Sequence, residues 1–178
     1  MRTAPIGFLL EALDYDPLTG SLKWRSRPRS HFDTDRGWRT FNSKFAGQEA
    51  GCVYTSTGYR VVNLGRYGFI GAHRIAFAMV HGSWVEFVDH RNRRPLDNWI
   101  TNLRESTKAQ NCRNRRRNRN TASGFKGVSK APHQRRWQAR IEVDGQQIHL
   151  GMFDSPEEAH GAYAAAAAQH HGEFACPN

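Results

Sequence analysis

The stretch "VDHRNRRPLDNWITNLRESTKAQN", residues 88–111, places an Asp-His pair ahead of three spaced asparagines, Asn98, Asn102 and Asn111. Asparagine is a poor former of helix and strand, so its repeated use points to turn chemistry or to a ligand. The segment reads as a strand, a loop, a short second strand near 99–103 and a helix over 106–117. On that helix Lys108, Asn111 and Arg115 fall at i, i+3 and i+7, on one face, while Ala109 and Cys112 are placed to pack inward. Neighbours on a regular strand point to opposite faces. Asp89 and His90 can therefore share a site only where the strand ends or bulges, and the loop opening at Arg91 supplies an end.

Hydrolysing a phosphodiester needs a base to take a proton from the attacking water, and a cation to hold the phosphate and the departing oxygen. Histidine titrates closest to neutrality. A hard divalent cation, Mg²⁺ or Mn²⁺, takes carboxylate and amide oxygens. His90 as general base, with Asp89 and Asn111 as metal ligands, supplies that set, and no zinc pattern is present. Asn98 and Asn102 are expected to bond loop backbone and hold the strand end in shape. Lys108, Arg113, Arg115, Arg116 and Arg117 are expected to contact phosphates. On spacing and chemistry alone, a purely structural reading of the Asp-His pair and the asparagines stands beside the catalytic one.

The 178 residues carry 26 Lys and Arg against 16 Asp and Glu, a net charge of +10, which favours a polyanionic partner. The surplus is concentrated in "RNRRRNRN", residues 113–120, five arginines with no acid. Asparagines fill the gaps where a membrane-surface helix would carry an apolar face. No run approaches the roughly 18–20 apolar residues of a membrane span, and the N-terminus lacks the pattern of a signal peptide. Cys52, Cys112 and Cys176 are odd in number and widely spaced, which fits a reducing, cytoplasmic setting. Double-stranded DNA is the expected partner, and the chain is expected to be a monomer or a weak dimer.

Three parts follow along the chain. Residues 1–45 hold a helical stripe of Phe8, Leu9, Leu10 and Leu13, a turn at "DPLTG", a strand at "SLKWR" and an irregular basic stretch over 26–44. Residues 46–118 hold a hairpin of runs 59–64 and 67–71, a helix with Ile75, Ala76, Met79 and Val80 on one face that stops at Gly82, and the opening stretch. Residues 119–178 read as three short strands and one helix. Asp144-Gly145 marks the second hairpin. Ser155, Pro156 and Glu158 form a capping box with proline at the first helical position, and Ala159, Ala162, Tyr163 and Ala166 form the buried stripe. Strand alternation puts Trp137, Ala139, Ile141 and Val143, with Ile148, Leu150 and Met152, on the helix side. Lys126, Lys130, Gln138, Arg140, Gln147 and His149 are the candidate DNA-reading residues of the sheet.

"DHRNRRPLDNWITNLRESTKAQNCRNR" resembles the HNH endonuclease family in its homing-type branch, with D-H, a loop, D-N, N-L-R and an asparagine on the following helix. "LDYDPLTGSLKWRSR" and "GYRVVNLGRYGFIGAHRIAFAMVHG" resemble segments that precede this motif, so the likeness covers most of residues 8–117. It implies a ββα-metal core, with His90 as general base, Asp89 and Asn111 as metal ligands and Asn102 bracing the loop. The loop departs from the family's usual pattern: "RNRR" with Pro95 replaces a glycine-bearing sequence, and Trp99 stands where arginine is common. His73 recurs in the family and is read as a core residue. Residues 123–178, through "GFKGV", "LGMFDSPEEA" and "AYAAAA", resemble the AP2 DNA-binding domain, which implies that the sheet enters the major groove. The expected fold is α+β: an HNH core with a preceding hairpin and helix, then a three-stranded antiparallel sheet on one helix. The expected function is a site-directed DNA endonuclease; the alternative is a non-catalytic, sequence-specific DNA-binding regulator.

Overall fold

The computed structural model describes residues 3–115, 122–132 and 135–176. The fold is mixed α+β with small antiparallel sheets, and the chain divides into two compact units, Met1–Thr107 and Lys108–Asn178.

In the first unit, helix α1 (Ile6–Ala12) buries Leu9 and Ala12. Leu10, expected on the buried stripe, is exposed, because a seven-residue helix buries only the Leu9–Ala12 side. Strands β1 (Leu13–Tyr15) and β2 (Leu22–Trp24) pair around the predicted turn. Asp16 organises that turn, accepting from Leu18 N at 2.9 Å and from Thr19 Oγ1 at 2.6 Å. The stretch 26–44 is not irregular. Residues 35–45 form helix α2 (Asp35–Phe45), N-capped by Thr34, whose side chain accepts from Gly37 N. Trp38, Phe41 and Phe45 recur at helical spacing there, too thinly among polar residues to dominate the pattern.

Strands β3 (Cys52–Val53), β4 (Arg60–Asn63) and β5 (Phe69–Gly71) form the next sheet, with a 3₁₀ turn at Gly65–Tyr67 between β4 and β5. Helix α3 (Ala72–His81) buries Ala72, Ile75, Ala76, Phe77 and Ala78 and ends at Gly82 in the left-handed region (φ 68°). Val80, expected on the buried face, is exposed, since burial centres on the Ala72–Ile75–Ala76 side. Leu9, Leu13, Val62, Leu64 and Ile75 anchor one core, and Ala76, Phe77, Val88 and Leu103 a second beside it. Strands β6 (Phe87–His90) and β7 (Leu103–Ser106) pair in the register Asp89 with Arg104 and His90 with Leu103. The second strand starts later than expected because Ile100–Asn102 forms a 3₁₀ turn.

The second unit opens with α4 (Lys108–Asn114), shorter than the expected 106–117, so Arg115 lies past its end rather than on its Lys108–Asn111 face. Ala109 and Cys112 are exposed, against expectation, and the buried residue of this short helix is Asn114. Strands β8 (Val128–Lys130), β9 (Trp137–Val143) and β10 (Gln146–Phe153) form an antiparallel sheet with β9 in the centre. Asp144 and Gly145 both take positive φ, 51° and 79°, as a tight hairpin turn requires. Helix α5 (Pro156–His171) packs on this sheet through Ala159, Tyr163, Ala166 and Ala167, and Glu158 N donates to its N-cap Ser155 Oγ at 3.2 Å. A bulge between His149 and Gly151 reverses the alternation of β10. Leu150 still packs inward, but Met152 pairs with Gln138 on the outer face and Phe153 takes the inner one. No described helix is long and apolar enough to cross a membrane.

Candidate active site

The loop between β6 and β7 is built from side-chain amides. Asn102 Oδ1 accepts from Asn92 N at 3.0 Å, while Asn102 Nδ2 donates to Asn92 Oδ1 at 3.0 Å and to Asp97 O at 2.6 Å. Asn92 also donates to Asp97 Oδ2 at 2.8 Å and accepts from Arg94 N at 2.9 Å. Buried Asn102 therefore ties both limbs of the loop together, as its position predicted. Asn92 and Asp97, which sequence reasoning passed over, complete the brace. Arg93 adopts φ 61°, the left-handed conformation that glycine takes at least cost, at the place where the sequence lacks one.

His90 ends β6 buried, and Asn98 Oδ1 accepts from its Nε2 at 3.0 Å. An amide oxygen can only accept, so this bond fixes the ring proton on Nε2 and places the basic lone pair on Nδ1. Burial holds the imidazole below its ordinary pKa, against the opposing effects of the Asn98 bond and of the Asp89 and Asp97 charges. Asn98 therefore orients the ring rather than bonding loop backbone through its side chain. Its own main-chain carbonyl accepts from Tyr15 Oη at 2.7 Å, and Ile100 N donates to Pro17 O at 2.9 Å. A Cβ on Gly20 would stand 2.5 Å from Asn98 C and Trp99 N. The "DYDPLTG" turn is thus the backing of the site. Its recurrence ahead of the motif was the available signal, and Tyr15 and Gly20 are the residues it should have singled out. Burial, then the neighbouring Asp16, pushes Tyr15 up to about 12, so it stays a neutral donor.

Alternation sends the Asp89 carboxylate to the opposite face of the hairpin from the His90 ring, and the strand ends at His90, where the loop begins. Asp89 Oδ2 is held by Arg104, from Nε at 2.9 Å and Nη2 at 2.8 Å, with both side chains 6 % exposed. Arg104 lies in the N-L-R triplet, but nothing in the sequence alone marked it as the partner of Asp89. On the other face the rings of His73 and Tyr59 each approach a neighbour at 5.1 Å, His73 to His90 and Tyr59 to His73. Burial, then the His90 and Arg74 charges, takes His73 down to about 3, and its buried Nδ1 has no hydrogen-bond partner among the described residues.

Of the remaining predicted residues, Asn111 is half-buried on α4, with exposed Lys108 one turn before it. Arg113 pairs with Asp144 at 3.1 Å within the second unit. Arg115 is exposed, and Arg116 and Arg117 lie outside the described residues. On the sheet, Gln138, Arg140, Gln147 and His149 share the outer face, where Arg140 donates to Gln147 at 3.2 Å and Gln138 to Ser129 at 3.0 Å. Two predicted readers do not join them. Lys130 pairs with Trp137 on the helix side, and Lys126 Nζ donates to the carbonyls of Arg113 and Arg115 at 2.6 and 2.8 Å, closing the end of α4. Among the described residues no three His, Cys, Asp or Glu side chains converge on a metal position. In the first unit the Asp89 carboxylate is a hard oxygen donor of the kind Mg²⁺ or Mn²⁺ takes.

Residues 71–113 match the family model for HNH endonucleases. The matched span contains His73, the Asp89-His90 pair, the whole braced loop, Arg104 and Asn111, and this similarity supports a nuclease acting on DNA. No curated protein matches the chain.

Proposed function

We propose that the chain is a homing-type, divalent-metal-dependent DNA endonuclease in which His90 is the general base. The observation that carries the reading is the buried bond from His90 Nε2 to Asn98, which orients the ring with its lone pair on Nδ1, while burial favours the neutral form a base needs before attack. Asp89 and Asn111 are the proposed ligands of the cation. When bound, such an ion offsets charge on the scissile phosphate and on the leaving oxygen. Asn98, supported from behind by Tyr15, holds the base in line, and Asn102 keeps the loop closed around it. The basic residues Lys108, Arg113, Arg115, Arg116 and Arg117 are assigned to the phosphate backbone, where they add affinity without sequence preference.

The exposed outer face of β9 and β10 supports a second assignment, an AP2-like sheet that reads the major groove through Gln138, Arg140, Gln147 and His149. Their pairing on one face is the feature in its favour. A cytoplasmic, phage-associated setting is part of the same proposal.

One observation favours the non-catalytic alternative: Arg104 already neutralises the carboxylate assigned to the metal. Plasmid nicking separates the readings. Wild-type protein is expected to nick or linearise target DNA with Mg²⁺ and not with EDTA. His90→Ala should bind equally and cut at least about 10²-fold more slowly, the scale of a lost general base. Binding without cleavage under Mg²⁺ or Mn²⁺ would leave the regulator.

A further inference from the structure

Arg27 stands at the centre of the N-terminal part of the first unit, only 6 % exposed. Its guanidinium lies against four aromatic rings, 4.7 Å from Phe32, 4.8 Å from Phe41, 5.3 Å from Phe8 and 5.5 Å from Trp24. A buried cation ordinarily carries a carboxylate. Among the described residues Arg27 has none. Its side chain makes one hydrogen bond, from Nε to His31 Nδ1 at a long 3.4 Å, and His31 is itself bonded to Glu11 at 2.9 Å. Neither Nη nitrogen is paired within the described residues, yet neither is sealed off from space.

That space is a cavity of about 480 Å³, lined by Arg27 and by Arg66 from the turn between β4 and β5. Arg66 likewise has no carboxylate partner among the described residues. Burial and the Arg66 charge together act against the protonated form of Arg27, so two cations that repel line the cavity. Among the described residues the carboxylate on its lining is that of Asp33, which is exposed and pairs with neither. Thr34 and Gly37, at the N-terminus of the eleven-residue helix α2, close the same side, where the helix dipole adds further positive potential.

We propose that this cavity binds the phosphate of a nucleotide unit. The planar guanidinium matches two phosphate oxygens at once. Arg66 supplies the second charge that a phosphate, rather than a carboxylate, would use. The volume exceeds that of a bare ion, and the walls of Phe8 and Phe41 give an apolar face for a sugar or base. None of these residues belongs to the proposed catalytic set, so the inference does not depend on the nuclease reading. A His90→Ala chain should bind as well as wild type.

The test uses the full chain in EDTA, so that no cleavage intervenes, at constant ionic strength. Inorganic phosphate and a 5′-mononucleotide are titrated by calorimetry and by thermal unfolding against chloride. Both are expected to bind and to raise the unfolding midpoint. Arg66→Ala, an exposed substitution that spares the core, should weaken binding about tenfold or more, in line with loss of a charge-assisted contact. Arg39→Ala removes the same charge from the exposed side of α2 and should change binding by less than about twofold on screening grounds. Displacement of a short duplex by phosphate identifies a DNA phosphate as the occupant, whereas binding that leaves the duplex in place identifies a free nucleotide. No protection beyond chloride, or equal loss in Arg66→Ala and Arg39→Ala, overturns the proposal.

Discussion

The substitution Gly20→Ala should disable cleavage from a turn that carries no catalytic group. Gly20 has φ 75°, so any Cβ costs about 1–2 kcal/mol of backbone strain. Gly58 has the same φ, and a Cβ there meets nothing within 4 Å, so Gly58→Ala isolates the strain. At Gly20 the new Cβ stands 2.5 Å from Asn98 C and Trp99 N, both backbone atoms. Opening that approach to an ordinary contact of 3.4 Å moves Asn98 by about 0.9 Å. The 3.0 Å bond to His90 Nε2 then stretches beyond hydrogen-bond range and the base loses its orientation. A misplacement of about 1 Å at a reacting group costs on the order of 10²-fold. The assay is single-turnover plasmid nicking, with urea unfolding of both variants in parallel. The shared strain should appear in both variants, with a further stability loss from the clash and a cleavage deficit in Gly20→Ala alone. Equal cleavage by the two variants would show that the turn does not position the base.

Three further outcomes follow from single features. His73 has an unfolded pKa near 6.5 and a folded value of about 3, so its contribution to stability is complete above pH 6.5 and is lost as pH falls toward 3. The slope reaches about 1.4 kcal/mol per pH unit, and urea titrations of His73→Phe should show that slope flattened between pH 6.5 and 4. Gly127→Ala places a Cβ 2.2 Å from the Tyr163 ring at φ 70° and should destabilise the second unit by about 2–4 kcal/mol in thermal unfolding. Arg104→Met leaves the Asp89 charge buried without its main partner. It should cost about 3–5 kcal/mol in urea unfolding, largely recovered in the double variant with Asp89→Asn, and a single-variant loss under about 1 kcal/mol would count against a buried pair.

What could be read in the sequence was local. The cap at Ser155 is written in four consecutive residues, and the Asp144-Gly145 turn in two, so both stand where expected. Asn102 was legible as a brace because an amide in a short loop has few other uses. The partners that depend on register were not. Arg104 meets Asp89 from 15 residues away, and Tyr15 reaches Asn98 from 83 residues away, and neither spacing is periodic. The β10 bulge escaped notice because "IHLGMF" alternates apolar and small residues in either register, and only pairing with β9 decides that Met152 faces out. Lys126 read as a DNA contact because a lysine beside a basic sheet has that chemistry. Its actual acceptors, the carbonyls of Arg113 in α4 and of Arg115 just past its end, are set by tertiary placement.

The two faces of the β6–β7 hairpin hold their groups by different means, and the difference bears on how the proposed chemistry would be switched on. The His90 ring is held by a hydrogen bond to a neutral amide and by packing against His73. The Asp89 carboxylate is fixed by a cation in a poorly solvated place. A divalent ion bound at Asp89 would bring two more positive charges beside the Arg104 guanidinium, an arrangement that low local dielectric makes unfavourable. A phosphate arriving at the same place removes that repulsion and gains from both cations. Ion and substrate therefore each strengthen the binding of the other, and by linkage the coupling is equal in both directions. If Asp89 holds the cation as proposed, Arg104 would disfavour metal loading of the free protein and favour it on DNA, which would confine hydrolysis to the complex that has something to cut.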